Sequence, residues 1–389
     1  MIHPLSFRRS ALFILYIVGF MFALRIALPS YINSSFMSGI TTEKLVGLIY
    51  MISSLLTIVA FIIVPKVIHK IGNYYTIISL VVINILALLG LSFAHNSVYL
   101  LILFIINGIS ASIIGFCLDY FVEYYSRDVE TGRIRSFYLT ATNIAWLFAP
   151  FAAARIAGEG DFQKVFFVSA LIMSGVVIAS VLILRDTKDS KYKHFKFRDT
   201  IKEIVQNKNI SSIMMTNLFL QIFYAIMIIY MPIYLNQHLG FSIKEIGVAF
   251  TIMLLPFVFI QIPIGWLADK ILGEKEFLCT GFIIMAITTV SLSFITTTNF
   301  LVWGLMLFMT RVGAALVEIM TETYFYKEIN AGDSNLINIF KMTTSVAYVV
   351  SAFLATLFLV CVGMQYVWVI LGLLMFLGVR YSLAIKDTK

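Results

Sequence analysis

The chain has 389 residues, of which 60% are hydrophobic and 12% charged, with a formal net charge of +8. A soluble globular protein carries roughly 45–50% apolar and about 25% charged residues, so this sequence lacks the polar surface to cover its apolar side chains in water. A set of soluble domains is excluded; the composition is that of a chain whose solvent is mostly lipid.

A helix that crosses a bilayer needs ~20 predominantly apolar residues. In chain order such runs fall at 11–33, 45–65, 74–94, 98–121, 136–157 and 163–184, then at 211–235, 244–268, 277–296, 300–325, 335–361 and 364–384. Twelve spans with short connections use the whole length and leave no room for a separate soluble domain. The first run follows Arg8 and Arg9, as the core of a signal peptide would. It exceeds the roughly 7–15-residue apolar core of such a peptide, contains Arg25 and lacks a small-residue cleavage site, so it reads as an uncleaved first span.

Lys and Arg collect in the cytoplasmic connections of membrane proteins. With the N-terminus inside, 21 of the 28 Lys and Arg fall in inside segments, and only Lys44, Lys164 and Lys244 fall outside. The other four, Arg25, Arg155, Arg311 and Lys341, lie within spans. The expected protein is a multi-pass protein of the cell membrane with both termini cytoplasmic. The polar segment 185–210 divides it into domains 1–184 and 211–389. That segment mixes Lys191, Lys193, Lys196, Arg198 and Lys202 with Tyr192, Phe195, Phe197 and Ile201, the pattern of a surface helix on anionic headgroups and not of a nucleic-acid interface.

Cys117, Cys279 and Cys361 lie in or beside apolar runs without ligand-like spacing, which predicts neither disulfide framework nor zinc site. No G-x-x-x-x-G-K-[ST], G-x-S-x-G or H-E-x-x-H motif occurs. The expectation is therefore no enzyme, no metal and no cofactor, with energy drawn from an ion gradient or from the solute's own gradient.

The two halves repeat. Leu28-Pro29-Ser30-Tyr31-Ile32-Asn33 closes span one and Met231-Pro232-Ile233-Tyr234-Leu235-Asn236 closes span seven. Gly47 has its counterpart in Gly247, Pro65–Lys70 in Gly265–Lys270, and Asp119-x3-Glu123 in Glu318-x3-Glu322. Four matches in one order at a nearly constant offset indicate two related six-helix bundles, an arrangement that places a binding site near the midplane between repeats.

Gly265-Trp266-Leu267-Ala268-Asp269-Lys270-Ile271-Leu272-Gly273-Glu274-Lys275 resembles the G-x-L-a-D-R-x-G-R-K motif of the major facilitator superfamily, with one extra residue before Gly273. The first-half copy is degenerate, with Pro65 for the leading Gly and His69 for the Asp, while Gly72 survives. The resemblance covers the chain through its topology, basic central loop and repeat. It implies an all-α membrane protein of twelve transmembrane helices in two pseudo-symmetric six-helix bundles, monomeric, moving a small-molecule substrate by alternating access. Asp269 and Lys270 would then belong to a cytoplasmic gate; His69 makes the first-half latch weaker or pH-sensitive, or is a solvated loop residue. Leu307-x-x-x-Arg311 is similar to a superfamily motif usually on helix four, but helix four has Phe104 there, which weakens transfer of that motif's antiport role.

Charges at membrane depth cost about 2.5–3.5 kcal/mol on insertion scales and so face a polar interior. Arg25 lies roughly 22 Å and Arg311 roughly 16 Å into their spans. The resemblance places helices 1, 4, 7 and 10 around the cavity, which makes Arg25, Gln221, Tyr224 and Arg311 substrate-cavity candidates. Two cavity arginines favour an anionic group on the substrate; alternatively each pairs with a carboxylate. Arg311, Glu318 and Glu322 share one helix face. Two carboxylates one turn apart can load and release a proton, which makes H+ the expected coupling ion; alternatively Lys341 and Arg311 neutralise them. Asp119 and Glu123, with Arg133 and Arg135 in the next connection, and Lys341 complete the expected gate. Asn107, Asn143, Asn217 and Gln261 read first as interhelical hydrogen-bonding groups. With no P-E-S-P-R sugar signature present, efflux or exchange of a small organic solute is preferred over uptake of an anionic metabolite or sugar. A sensor that kept the fold without transporting is the alternative from another class.

Overall fold

The structure, a computed structural model, describes residues 5–125, 131–158, 160–184, 197–260, 263–264, 267, 273–329, 334–361 and 363–386. Among these residues there is no strand. In lipid every backbone N–H and C=O must be satisfied within the protein, and a helix does this inside a single segment. The helices are α1 (Leu5–Ser30), α2 (Asn33–Ile40), α3 (Glu43–Ile71), α4 (Asn73–Phe93), α5 (Ser97–Tyr125), α6 (Thr131–Ala157) and α7 (Phe162–Leu184). They continue with α8 (Phe197–Gln206), α9 (Lys208–Ile233), α10 (Ile243–Phe259), α11 (Glu274–Leu292), α12 (Phe300–Glu328), α13 (Ser334–Cys361) and α14 (Val367–Ala384).

Among the described residues ten helices are long and apolar enough to cross a membrane: α1, α3, α4, α5, α7, α9, α11, α12, α13 and α14. The sequence predicts twelve spans. The other two correspond to α6 and α10. Thr140, Thr142, Asn143, Pro150 and Arg155 dilute the apolar content of α6. In α10 only 17 residues form the helix, and the rest of the run at 244–268 falls mostly outside the described residues. The surface helix expected in the central segment is α8 from Phe197 on; residues 185–196 lie outside the described residues.

The sequence sets the ends of several elements. Asn207 caps α9 by accepting from the backbone N–H groups of Asn209 and Ile210. Before α10, the Ser242 side chain accepts from the Glu245 N–H while the Glu245 carboxylate accepts from the Ser242 N–H, a reciprocal cap for two orphan donors. Ser242→Ala is expected to cost about 1 kcal/mol, read as a lower unfolding midpoint of the detergent-solubilised protein. Past Pro232, α9 opens into a π turn at Tyr234–His238. Gly240, at φ 75°, then reverses the chain in a conformation costly for residues with a Cβ.

Two compact units emerge, Met1–Asn33 with Ile52–His194, and Ser34–Met51 with Phe195–Lys389. In the first, α1 packs on α6 and α7, and α4 on α5 and α7. In the second, α11 lies against α12 and α14, α9 against α12, α13 and α14, and α10 against α12. Lipid tails are as apolar as leucine, so helices associate through close packing at small residues. Gly281 of α11 and Gly313 of α12 supply such a contact: a Cβ on either would meet the other's carbonyl oxygen at 2.8 or 2.6 Å. Gly372 brings α14 equally close to α11 at the Ala286 carbonyl.

Candidate functional site

In the second unit α12 presents its charged face to α9. Arg311 is 1% exposed, and its guanidinium carbon lies 4.8 Å from the Phe223 ring centroid and 5.5 Å from that of Tyr224. A guanidinium over ring faces is attracted by their negative quadrupole. Two turns along α12, the partly buried Glu318 accepts a 2.6 Å hydrogen bond from the Tyr224 hydroxyl. The charges of Glu322, Arg311 and Lys341 act on that carboxylate. Tyr224 therefore bridges the cation and the acid: its face meets Arg311 and its hydroxyl meets Glu318. Its ring also packs on Phe257 of α10, 6.2 Å away between centroids. Of the sequence-predicted residues, this brings together Tyr224, Arg311, Glu318, Glu322 and Lys341. Gln221 lies on α9 one turn before Tyr224 and is partly buried.

Arg25 belongs to the first unit and to a different network. Its Nη2 donates to the Asn84 Oδ1 of α4 at 2.6 Å and to the Asn107 Oδ1 of α5. Asn84 Nδ2 donates to Asn107 Oδ1 at 3.1 Å and to Ser110 Oγ at 2.8 Å. Asn107 was legible in the sequence as a polar residue in a span. Asn84 and Ser110 were not, and the only signal for Asn84 was an amide inside the apolar run 74–94.

Of the expected gate residues, Asp119 is partly buried on α5. The side chains of Glu123, Arg133 and Arg135 lie outside the described residues, as do Asp269 and Lys270. The structure adds an ion pair that sequence reasoning missed. Lys327 Nζ, at the last turn of α12, lies 2.8 Å from Glu274 Oε1, in the first turn of α11. The Glu274 side chain is 2% exposed and that of Lys327 39%. Glu274 stands where the superfamily motif has a basic residue, and that departure was the readable clue. A carboxylate at a helix N-terminus also meets the positive end of the helix dipole. Close by, Asn209 donates to Glu328 and Tyr324 donates to the Lys386 carbonyl. These bonds tie the ends of α9, α11, α12 and α14 together. Lys327→Gln is expected to destabilise by about 1–3 kcal/mol, since it strands a buried carboxylate beside a partner that was half solvated. Exchanging the two residues should recover only part of the loss, because Lys at the start of α11 opposes the dipole; the unfolding midpoints of the three proteins check this.

No group of three His, Cys, Asp or Glu side chains among the described residues could hold a metal ion. The sequence matches the Major Facilitator Superfamily over residues 10–321 and 213–387, and the chain belongs to that superfamily. It is a multi-pass membrane transporter and not an enzyme.

Among solved structures, the fold is similar to a bacterial homologue of the human lysosomal transporter Spinster, at 10% identity and TM-score 0.73, covering 98% of this chain and 94% of that one. It is similar to the nucleoside transporter NupG at 12% identity and TM-score 0.76, covering 97% and 100%. It is also similar to the xylose transporter XylE from E. coli at 13% identity and TM-score 0.73, covering 97% and 99%. At these identities the likeness is one of fold. No curated protein sequence matches the chain.

Proposed function

We propose that this protein is a proton-coupled secondary transporter of a small organic solute. Twelve spans in two six-helix halves, 1–184 and 211–389, joined by the cytoplasmic loop 185–210, carry it by alternating access in the cell membrane, with both termini inside. The observation that carries the reading is the arrangement on α9 and α12: a carboxylate, Glu318, bonded to Tyr224, one turn from Glu322 and on the same face as Arg311. A proton carrier needs a group that alternates between charged and neutral forms with a partner ready for each. Tyr224 and the cations Arg311 and Lys341 serve the carboxylate form of Glu318; Glu322 opposes a second negative charge so close. Gln221, on the same helix as Tyr224, belongs to the solute path.

Efflux or exchange is the preferred direction; uptake of an anionic metabolite or sugar is the alternative reading. We assign Asp119, Glu123, Arg133, Arg135, Asp269, Lys270 and Lys341 to the cytoplasmic gate. Proteoliposomes loaded with a panel of labelled organic solutes test the reading. Flux of at least one solute, steepened by an imposed pH gradient, is the expected result. No flux across the panel would reject transport, and flux indifferent to the gradient would reject proton coupling.

A further inference from the structure

The two arginines at membrane depth have different surroundings. Arg311 lies over two aromatic faces and acts electrostatically on Glu318. Among the described residues, the hydrogen bonds of Arg25 are to neutral dipoles. Its Nη2 donates to the side-chain oxygens of Asn84 and Asn107. Its Nε is buried and without a hydrogen-bond partner. Among the described residues no carboxylate forms a hydrogen bond with Arg25.

The amide orientations follow from the network. Asn84 spends its Nδ2 on Ser110 and Asn107, which turns its oxygen towards the guanidinium. Ser110 in turn donates to the Ile106 carbonyl. Three side chains from two helices thus aim and hold a cation that none of them neutralises. Guanidinium does not deprotonate in proteins, and a buried charge is costly unless an opposite charge meets it. With 2% of its surface exposed, Arg25 is also placed where an ion pair is least weakened by water.

We propose that Arg25, positioned by Asn84, Asn107 and Ser110, is the anchor for an anionic group of the transported solute, a carboxylate or a phosphate. The solute's charge is then read in the first unit, and the proton is handled by Glu318 in the second. The proposal rests on the transport reading above and names its substrate class. An oxygen of the anion accepts from the vacant Nε–H and supplies the missing counter-charge, the strongest kind of hydrogen bond available to an arginine.

Thermal-shift titrations of the purified full-length chain test it with lactate, succinate and glycerol 3-phosphate, against the uncharged lactamide, succinamide and glycerol. At least one anion is expected to raise the unfolding midpoint saturably while its neutral counterpart does not, and the carboxylate and phosphate arms separate the two chemistries. Arg25→Gln should lose the shift. In case that variant does not fold, Asn107→Asp is the second arm. It places a built-in carboxylate on the guanidinium, which should raise stability without ligand and weaken anion binding on the order of tenfold or more.

A full anion response in Asn107→Asp, an equal response to the neutral compounds, or no response to any anion overturns the proposal. Counterflow of the same compounds in proteoliposomes keeps the two readings apart. Neutral-solute flux without anion binding rejects the anion anchor and leaves transport standing. Anion binding without any flux keeps the anchor and rejects transport.

Discussion

Glu318→Gln is expected to abolish proton-driven accumulation while solute exchange continues. Gln keeps the shape of the side chain and still offers Tyr224 an acceptor for its 2.6 Å bond, so the packing of α9 on α12 survives. What it loses is the ability to alternate between a charged and a neutral form. One pH unit is worth about 1.4 kcal/mol per proton, or roughly tenfold in concentration. A wild-type protein moving one proton per solute should therefore reach up to about tenfold accumulation across a one-unit gradient, and the Gln variant a ratio near one. Counterflow measured without a gradient should stay within a few-fold of wild type. Loss of both activities together would make Glu318 a structural group and remove it from the proton path. Tyr224→Phe, which keeps the ring under Arg311 and removes only the hydroxyl, should shift the pH dependence of accumulation without abolishing it.

The second large effect is structural. Gly313 lies two residues from Arg311 on α12 and faces α11. A Cβ there would sit 2.6 Å from the Gly281 carbonyl oxygen and 2.8 Å from the Met285 backbone nitrogen. Neither atom belongs to a side chain that can rotate away, so the two helices must part. Gly313→Ala is expected to cost about 1–3 kcal/mol through overpacking, and Gly313→Leu to prevent recovery of a monodisperse protein. Gly304, on the same helix, has open space around its missing Cβ. Gly304→Ala should therefore be neutral or stabilising, since Ala is favoured over Gly in a helix by roughly 0.5–1 kcal/mol. Unfolding midpoints in detergent, with size-exclusion profiles, compare the three; an Ala at 313 as harmless as one at 304 would contradict the close contact.

Part of the candidate site could be read along the chain. Arg311, Glu318 and Glu322 recur at the helical period, so their shared face is visible from spacing alone. Tyr224 was a candidate for its place in span seven. That its hydroxyl reaches Glu318, 94 residues away, is a fact of packing between α9 and α12. The Glu274–Lys327 pair joins residues 53 apart through two helix ends that no local pattern relates. Asn84 reads in sequence as one polar residue in an apolar run, and only its place opposite Arg25 makes it part of a charge-holding network. Which acceptors a membrane-depth arginine meets is likewise a matter of packing: among the described residues, Arg25 donates to the amide oxygens of Asn84 and Asn107, 59 and 82 residues away.

By itself the sequence determined that the solvent is lipid, that the backbone is helical and where most of the helices lie. These follow from composition and from hydrogen bonds each segment makes within itself, both local properties. The tertiary structure alone decided which charges meet. Those pairings depend on how closely helices approach at glycines such as Gly281 and Gly313 and on which face each turns inward, and these distances are set by contacts far apart in the chain.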